Sequence, residues 1–311
     1  MRVFVTGASG FVGSAVVKEL LDAGHQVLGL ARSDETAASV KGSGADVQRG
    51  DLNDLESLRR GAQGADGVIH TAFRHDFLRG DSSGEDFMAA FAAAAETDRR
   101  AIETLGETLA GSGRPLVITS GTGVLAPGRV ATEEDMSPAD GHPRGKSEVL
   151  ASELASRGVR TAIVRLPPSV HGDGDHGFVP RLIGIARAKG ASGYVGDGAN
   201  RWAAVHRLDA AVLFRLALEK APAGSRLHAV GEEGIPLREV ASVIGTHLNL
   251  PIISVAPDAV ADHFGPFGLF VSWDVPASST LTRERFAWRP THRGLIQDLE
   301  QGTYFTPVVA S

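Results

Sequence analysis

Short apolar segments alternate with amphipathic segments along the first half of the chain. Residues 3–6 are apolar, rich in β-branched side chains and followed by glycine, which predicts a buried strand. Residues 11–23 carry apolar side chains at helical spacing and end at Gly24, so we predict a helix there. The alternation continues with strands predicted at 25–30, 46–48, 68–70, 116–120 and 161–166, and helices at about 54–61, 86–110 and 143–157. Apolar strands that alternate with helices indicate a parallel sheet covered on both faces.

Composition excludes several classes of protein. The 311 residues are 42% hydrophobic and 22% charged, as is typical of a globular protein with one large domain or two smaller ones. A net charge of −6 argues against nucleic-acid binding, and no apolar run approaches the ~18 residues of a membrane span. Cysteine is absent, which removes disulfides and thiol catalysis. Because the first ten residues already predict a strand and a turn, we expect no signal peptide and a cytoplasmic location.

A glycine-rich turn lies between the first predicted strand and the first predicted helix. It has the pattern T-G-x-x-G-x-x-G over residues 6–13. The glycines allow a tight turn and a close approach of backbone N–H groups to a pyrophosphate, and the helix N-terminus adds its positive dipole end. This position in a βαβ unit is the context that makes the motif meaningful. We therefore predict a dinucleotide site that includes Gly7, Ser9, Gly10, Phe11, Val12 and Gly13.

The end of the second predicted strand indicates which dinucleotide is bound. An acidic residue usually meets the free 2′-hydroxyl of NAD at this point, whereas a 2′-phosphate requires a cation. Ala31 occupies the expected acidic position and Arg32 follows it. NADP(H) is therefore favoured, and Asp34 nearby keeps NAD(H) as an alternative.

Segments along nearly the whole chain resemble the short-chain dehydrogenase/reductase superfamily in its extended or atypical branch, the epimerase/dehydratase relatives. The resemblance rests on the glycine-rich turn together with residues 50–52, 70–72, 165–172, 203–211 and 285–290. It implies that Asp51 and Leu52 hold the adenine. It further implies that His70, Thr71 and Ala72 line the nicotinamide ribose, and that Pro167 and Val170 lie near the nicotinamide.

The resemblance and the pattern together predict the architecture. We expect a Rossmann-type doubly wound parallel sheet, α/β in class, with a small mixed C-terminal substrate domain. The dinucleotide-binding domain is predicted to comprise residues 1–166 plus about 204–230. The substrate-binding domain would comprise about 167–203 plus 231–311, because after Pro167 and Pro168 the chain changes to glycine-rich loops and short elements.

The catalytic motif of these relatives is altered in this chain. They use a Ser or Thr after the fifth strand and a Y-x-x-x-K pair, but neither Tyr194 nor Tyr304 is followed by lysine four residues later. In residues 142–148, Lys146 matches the lysine and His142 stands where the tyrosine should be, either as an acid/base group or as a polar residue at a helix start. The usual hydroxyl position falls on Gly121, which leaves two candidate hydroxyls on either side, those of Ser120 and Thr122.

These features predict an enzyme, an NADP(H)-dependent oxidoreductase that reduces a small carbonyl compound or oxidises the corresponding alcohol. A nucleotide-sugar epimerase or dehydratase and a non-catalytic NADP(H)-binding redox sensor are the alternatives. The only expected partner besides the small-molecule substrate is a second copy, since relatives dimerise through the helices near residues 86–110 and 146. The segment H-G-D-G-D-H at 171–176 coincides with a loop of the relatives, so no metal is expected.

Overall fold

The computed structural model of the protein describes residues 1–75, 84–138 and 142–306. Strands and helices alternate through the first part of the chain. The strands are β1 (Arg2–Thr6), β2 (Gln26–Ala31), β3 (Asp46–Arg49), β4 (Gly67–His70), β5 (Pro115–Gly121) and β6 (Arg160–Leu166). The helices between them are α1 (Phe11–Asp22), α2 (Asp34–Gly42), α3 (Leu55–Gln63), α4 (Gly84–Leu109) and α5 (Gly145–Ser156).

The second part of the chain has shorter strands and a different connection pattern. Its strands are β7 (Ser169–His171), β8 (Ser192–Val195), β9 (Arg201–His206), β10 (Ser225–His228), β11 (Glu232–Pro236) and β12 (Ile252–Val255). The longer helices here are α6 (Phe178–Lys189), α7 (Arg207–Lys220) and α8 (Leu237–Leu248). Shorter ones follow at α9 (Val260–Phe264), α10 (Gly268–Val271), α11 (Thr280–Phe286) and α12 (Leu295–Gln301).

The main sheet is parallel and has seven strands in the order β10-β6-β5-β4-β1-β2-β3. Strand β1 lies between β2 and β4, so the strand order reverses beside it, and ligands bind at such a switch point. A smaller sheet, β11-β9-β7, and the pair β12-β8 accompany it. This arrangement confirms the predicted Rossmann-type doubly wound fold with an additional small mixed sheet.

The two faces of the main sheet are covered by different helices because side chains alternate across each strand. In β1, Val3 and Val5 face the cluster formed with α1 and α7, whereas Phe4 faces the cluster formed with α3, α4 and α5. A third buried cluster joins α6, α8 and α12 with the segment around Phe270. The division into two domains predicted from the sequence stays a prediction. Among the described helices, none is both long and apolar enough to cross a lipid bilayer.

Candidate functional site

A cavity of about 1030 Å³ opens at the carboxyl ends of the parallel strands. Its wall includes the turns after β1, β2, β3 and β4, the end of β5 and the connection between β6 and β7. The volume reaches the upper limit of the roughly 300–1,000 Å³ usual for one drug-sized ligand. The cavity therefore has room for an extended cofactor together with a second molecule.

The glycine-rich turn fits a dinucleotide pyrophosphate. Gly7 has a φ of 71°, which glycine adopts without strain, and a Cβ there would lie 2.7 Å from the backbone nitrogen of Ala72. A Cβ on Gly13 would lie 1.9 Å from the carbonyl oxygen of Gly7, so the helix packs directly on the turn. Gly10 is the N-cap of α1. It provides no side-chain cap, and the first turn has no acidic residue, which leaves the helix N-terminus available to an anion. The other turn residues predicted for the cofactor, Ser9, Phe11 and Val12, also line the cavity.

The end of β2 presents a cation to the cavity. Arg32 lines the wall, as does Thr36 on the first turn of α2. Asp34 does not belong to the wall. Its carboxylate accepts a hydrogen bond of 2.5 Å from Arg49 Nη2 and points into solvent. The acidic residue that would suit a 2′-hydroxyl is thus turned away from the site.

The predicted adenine residues lie in the same part of the wall. Asp51 and Leu52 both line the cavity. Asp51 Oδ1 accepts hydrogen bonds from the backbone N–H groups of Asn53 at 2.7 Å and Asp54 at 3.3 Å, which shapes the turn before α3. Asp51 therefore has a structural task in addition to its place in the wall.

Of the three residues predicted to line the nicotinamide ribose, His70 is placed differently from the expectation. Thr71 and Ala72 line the cavity, and so do Pro167 and Val170. His70, the last residue of β4, is fully buried and does not line the cavity. Its Nε2 donates to Asp98 Oδ1 at 3.1 Å, and its Nδ1 lies 2.8 Å from Thr6 Oγ1.

This buried contact chain continues to α5. Asp98 Oδ2 accepts a hydrogen bond of 2.8 Å from Ser147 Oγ. Burial opposes ionisation of Asp98, but the hydrogen bond from His70 and the nearby charge of Arg144 hold the pKa of this carboxyl below its ordinary value. Sequence reasoning did not find Asp98, because α4 carries six acidic residues and nothing local distinguishes the buried one from the others.

The two candidate hydroxyls after β5 are not equivalent. Ser120 is part of the cavity wall, whereas Thr122 is not. Both hydroxyl oxygens are buried and have no hydrogen-bond partner among the described residues. Gly121 and Gly123 line the cavity beside Ser120, so the wall is open at the position where relatives carry the hydroxyl.

The start of α5 places the predicted lysine outside the site. The helix begins at Gly145, so His142 and Lys146 do not share a helix face as the i, i+4 spacing would require. Lys146 is exposed and does not line the cavity, because Ser147 and Glu148 turn inward instead. Glu148 holds this face by a buried ion pair with Arg165, with oxygen–nitrogen distances of 2.6 and 2.9 Å. This placement differs from the sequence expectation for Lys146.

Arg144 provides the cation that Lys146 does not. It lines the cavity, its Nη2 donates to the carbonyl oxygen of Thr119 at 2.8 Å, and its guanidinium lies 4.2 Å above the centre of the Phe73 ring. The Nε atom of Arg144 is buried with no hydrogen-bond partner among the described residues. A buried donor without a partner is costly, so the placement of this guanidinium lowers the stability of the fold.

His142 lines the cavity in a form that is neutral near pH 7. Its Nδ1 accepts a hydrogen bond of 3.3 Å from the backbone N–H of Arg144, and its ring meets Phe91 edge to face at 5.4 Å. Burial, and secondarily the charge of Arg144, lowers the pKa of His142 to about 4. Because Nδ1 accepts, the single proton of the neutral ring lies on Nε2. His142 can therefore donate a hydrogen bond but does not act as a strong acid at neutral pH.

Comparison with known proteins agrees with this geometry. The profile described as the NAD dependent epimerase/dehydratase family matches residues 3–230. An uncharacterized protein of Schizosaccharomyces pombe is 50% identical over 98% of this chain and 100% of its own length. A 4-hydroxy-2-methyl-3-oxo-4-farnesyl-3,4-dihydroquinoline-1-oxide ketoreductase of Stigmatella aurantiaca is 30% identical over 72% of this chain and 66% of its own.

Among solved structures, the dTDP-glucose 4,6-dehydratase DesIV of Streptomyces venezuelae with NAD and TYD bound has a similar fold. The TM-score is 0.73 at 22% identity, over 98% of this chain and 96% of that one. The parallel sheet, the glycine-rich turn at its switch point and the family profile over most of the chain lead to one conclusion. This chain belongs to the NAD-dependent epimerase/dehydratase family, the extended short-chain dehydrogenases/reductases.

Proposed function

We propose that this protein is an NADP(H)-dependent oxidoreductase that reduces a carbonyl compound or oxidises the corresponding alcohol. The observation that carries the proposal is one continuous cavity wall. It runs from Arg32 and the glycine-rich turn to His142 and Arg144. The name of the Stigmatella relative, a ketoreductase, supports the same type of reaction.

The preference for NADP(H) rests on charge at the end of β2. Arg32 lies in the wall, and Asp34 is turned away by its contact with Arg49. A guanidinium pairs with phosphate oxygens in a two-pronged geometry, which suits a 2′-phosphate. NAD(H) would find no carboxylate from Asp34 in the wall to receive its 2′-hydroxyl.

At the reacting end, Arg144 would take the part that a lysine plays in relatives with a Y-x-x-x-K motif. Its guanidinium would hold the ribose hydroxyls, and stacking on Phe73 and the bond to Thr119 would keep it in place. His142 would stand in for the missing tyrosine as a hydrogen-bond donor. A neutral imidazole that polarises a carbonyl oxygen through N–H is an established catalytic arrangement.

The reaction balances with the groups named. When bound, NADPH would provide the hydride for the carbonyl carbon, and NADP⁺ would be the oxidised product. The carbonyl oxygen gains one proton, and the product is the alcohol. Because the neutral His142 ring does not release its proton near pH 7, we infer that His142 stabilises the developing oxyanion while water supplies the proton.

The test is turnover with the purified protein. We would incubate it with NADPH and a panel of aldehydes and ketones and follow the loss of reduced nicotinamide by absorbance, with NADH as the matched comparison. Oxidation of NADPH by at least one carbonyl compound, faster than oxidation of NADH, is expected.

Two outcomes would refute the proposal. Tight dinucleotide binding with no oxidation across the panel would favour the redox sensor. Firmly bound NAD that survives purification, together with conversion of a nucleotide sugar, would favour the epimerase or dehydratase.

A further inference from the structure

Five aromatic side chains outside the glycine-rich turn line the cavity. We call this region the aromatic chamber and define it by Phe73, Phe91, Phe178, Phe270 and Trp273, all of which line the cavity. The rings contact one another in two groups. Phe73 meets Phe91 at 6.3 Å between centroids, while Phe270 lies 4.9 Å from Phe178 and 4.8 Å from Trp273.

The aromatic chamber is continuous with the proposed reacting end. Phe91 packs edge to face on His142, and Phe73 lies under the guanidinium of Arg144. On the other side, Trp273 approaches the turn after β5 so closely that a Cβ on Gly123 would lie 3.0 Å from its ring. A carbonyl group held at His142 would thus place its substituent among these rings.

The chemistry of the chamber favours an aromatic ring over a polar group. Aromatic rings in contact stabilise one another beyond the burial of their apolar area. A sugar hydroxyl placed against aromatic carbon would lose its hydrogen bonds to water without replacement. We propose that the chamber binds the aromatic substituent of a ketone or aldehyde that carries no nucleotide. This inference rests on the proposed reductase function, because it takes the reacting carbonyl to lie at His142.

The protein carries its own reporter for this site. Of its three tryptophans, Trp202 and Trp288 are fully buried outside the cavity wall, whereas Trp273 is partly exposed and lines the cavity. A ligand in the chamber would therefore change the fluorescence of Trp273 far more than that of the other two.

The experiment measures binding without turnover. The protein is saturated with NADP⁺ and titrated in a calorimeter with 4-phenylbutan-2-one and with butan-2-one, which share the methyl ketone and differ in the phenyl group. UDP-glucose is the third ligand, and tryptophan fluorescence is recorded in parallel. Trp273→Phe and Trp273→Ala change the chamber. Leu269→Ala is the matched control, since Leu269 lies on α10 next to Phe270 but is 49% exposed.

The phenyl ketone is expected to bind at least about tenfold more tightly than butan-2-one, since burying a ring removes much apolar area from water. Trp273→Ala should reduce this ratio to below about threefold, while Trp273→Phe and Leu269→Ala keep most of it. The fluorescence change on binding should persist in Leu269→Ala and disappear in Trp273→Phe. The wild-type ratio tests the proposal even if Trp273→Ala fails to fold.

Equal affinity for the two ketones, or tighter binding of UDP-glucose than of the phenyl ketone, would overturn the chamber assignment. The NADPH turnover assay, run with the same two ketones, tests the proposed reductase function separately. If the phenyl ketone binds preferentially but neither ketone causes NADPH oxidation, the chamber assignment stands and the reductase function is refuted. If both ketones bind equally and both cause NADPH oxidation, the reductase function stands and the chamber assignment is refuted.

Discussion

Replacement of Arg144 by alanine is the sharpest test of the reacting end, because Lys146 two positions later provides a matched control. Arg144 lines the cavity and Lys146 is exposed outside it. If Arg144 holds the ribose, Arg144→Ala removes a charged hydrogen bond, which contributes about 1.5–3 kcal/mol. That corresponds to NADPH binding weakened by roughly ten- to a hundredfold.

Lys146→Ala should change the dissociation constant by no more than about twofold, as surface substitutions usually alter free energies by less than about 0.5 kcal/mol. Arg144→Lys keeps the charge but loses the planar fork that stacks on Phe73, so we expect an intermediate loss.

The assay is a titration of each variant with NADPH, followed by nicotinamide fluorescence and repeated by calorimetry. Thermal unfolding of each variant without cofactor separates a loss of binding from a loss of fold. The reasoning would be refuted if Lys146→Ala weakened NADPH binding as much as Arg144→Ala did. The reasoning would be refuted equally if Arg144→Ala left NADPH binding unchanged.

Three further predictions concern separate parts of the cavity. Because the pKa of His142 is lowered to about 4, kcat/KM for carbonyl reduction should stay constant between pH 5.5 and 8, and His142→Ala should lower it by roughly 10²-fold or more throughout this range. An inflection of the wild-type profile near pH 6.5 that His142→Ala abolishes would contradict this. Arg32→Ala should weaken NADPH binding by about ten- to a hundredfold and leave NADH nearly unchanged in calorimetry, whereas equal losses would show that Arg32 does not contact the phosphate. Gly13→Ala places a Cβ 1.9 Å from the carbonyl oxygen of Gly7, so we expect loss of dinucleotide binding together with a lowered melting temperature; normal NADPH affinity would show that the turn can relax.

Sequence reasoning predicted the bounds of the strands of the parallel sheet, and of most helices that flank it, to within a few residues. It did not predict α2 (Asp34–Gly42), whose polar surface leaves only Val40 buried. The helix is held at its start by Ser33, whose side chain accepts from the backbone N–H of Thr36. Without an apolar stripe, the periodicity of this segment carries almost no signal.

The residues of the candidate site likewise fall into those that a local sequence pattern indicates and those that only the folded chain brings together. The glycine-rich turn and Arg32 were predictable, because a strand, a tight turn and a helix follow one another locally and set where those residues lie. Asp51 and Thr71 were expected only from the resemblance to the epimerase/dehydratase relatives. Each of them lines the cavity.

The aromatic chamber shows the opposite case. Phe73, Phe91, Phe178 and Trp273 are distributed over 201 positions of the chain, and they line one cavity only after the chain has folded. No local pattern distinguishes these rings from ordinary core residues, so only the folded chain shows that they share a wall.

The amino-acid sequence by itself determined the phosphate-binding turn, the absence of a Y-x-x-x-K pair and, apart from α2, the alternation of strands and helices in the first half of the chain, since all three depend on neighbours in the chain. Tertiary structure alone decided which cation, Arg144 or Lys146, faces the cavity at the start of α5. Spacing matched Lys146 to the lysine of relatives, but α5 begins only at Gly145, and the inward contacts of Ser147 with Asp98 and of Glu148 with Arg165 set its rotation. Those contacts join residues 17 and 49 positions apart, and they turn Lys146 to solvent and leave Arg144 in the wall.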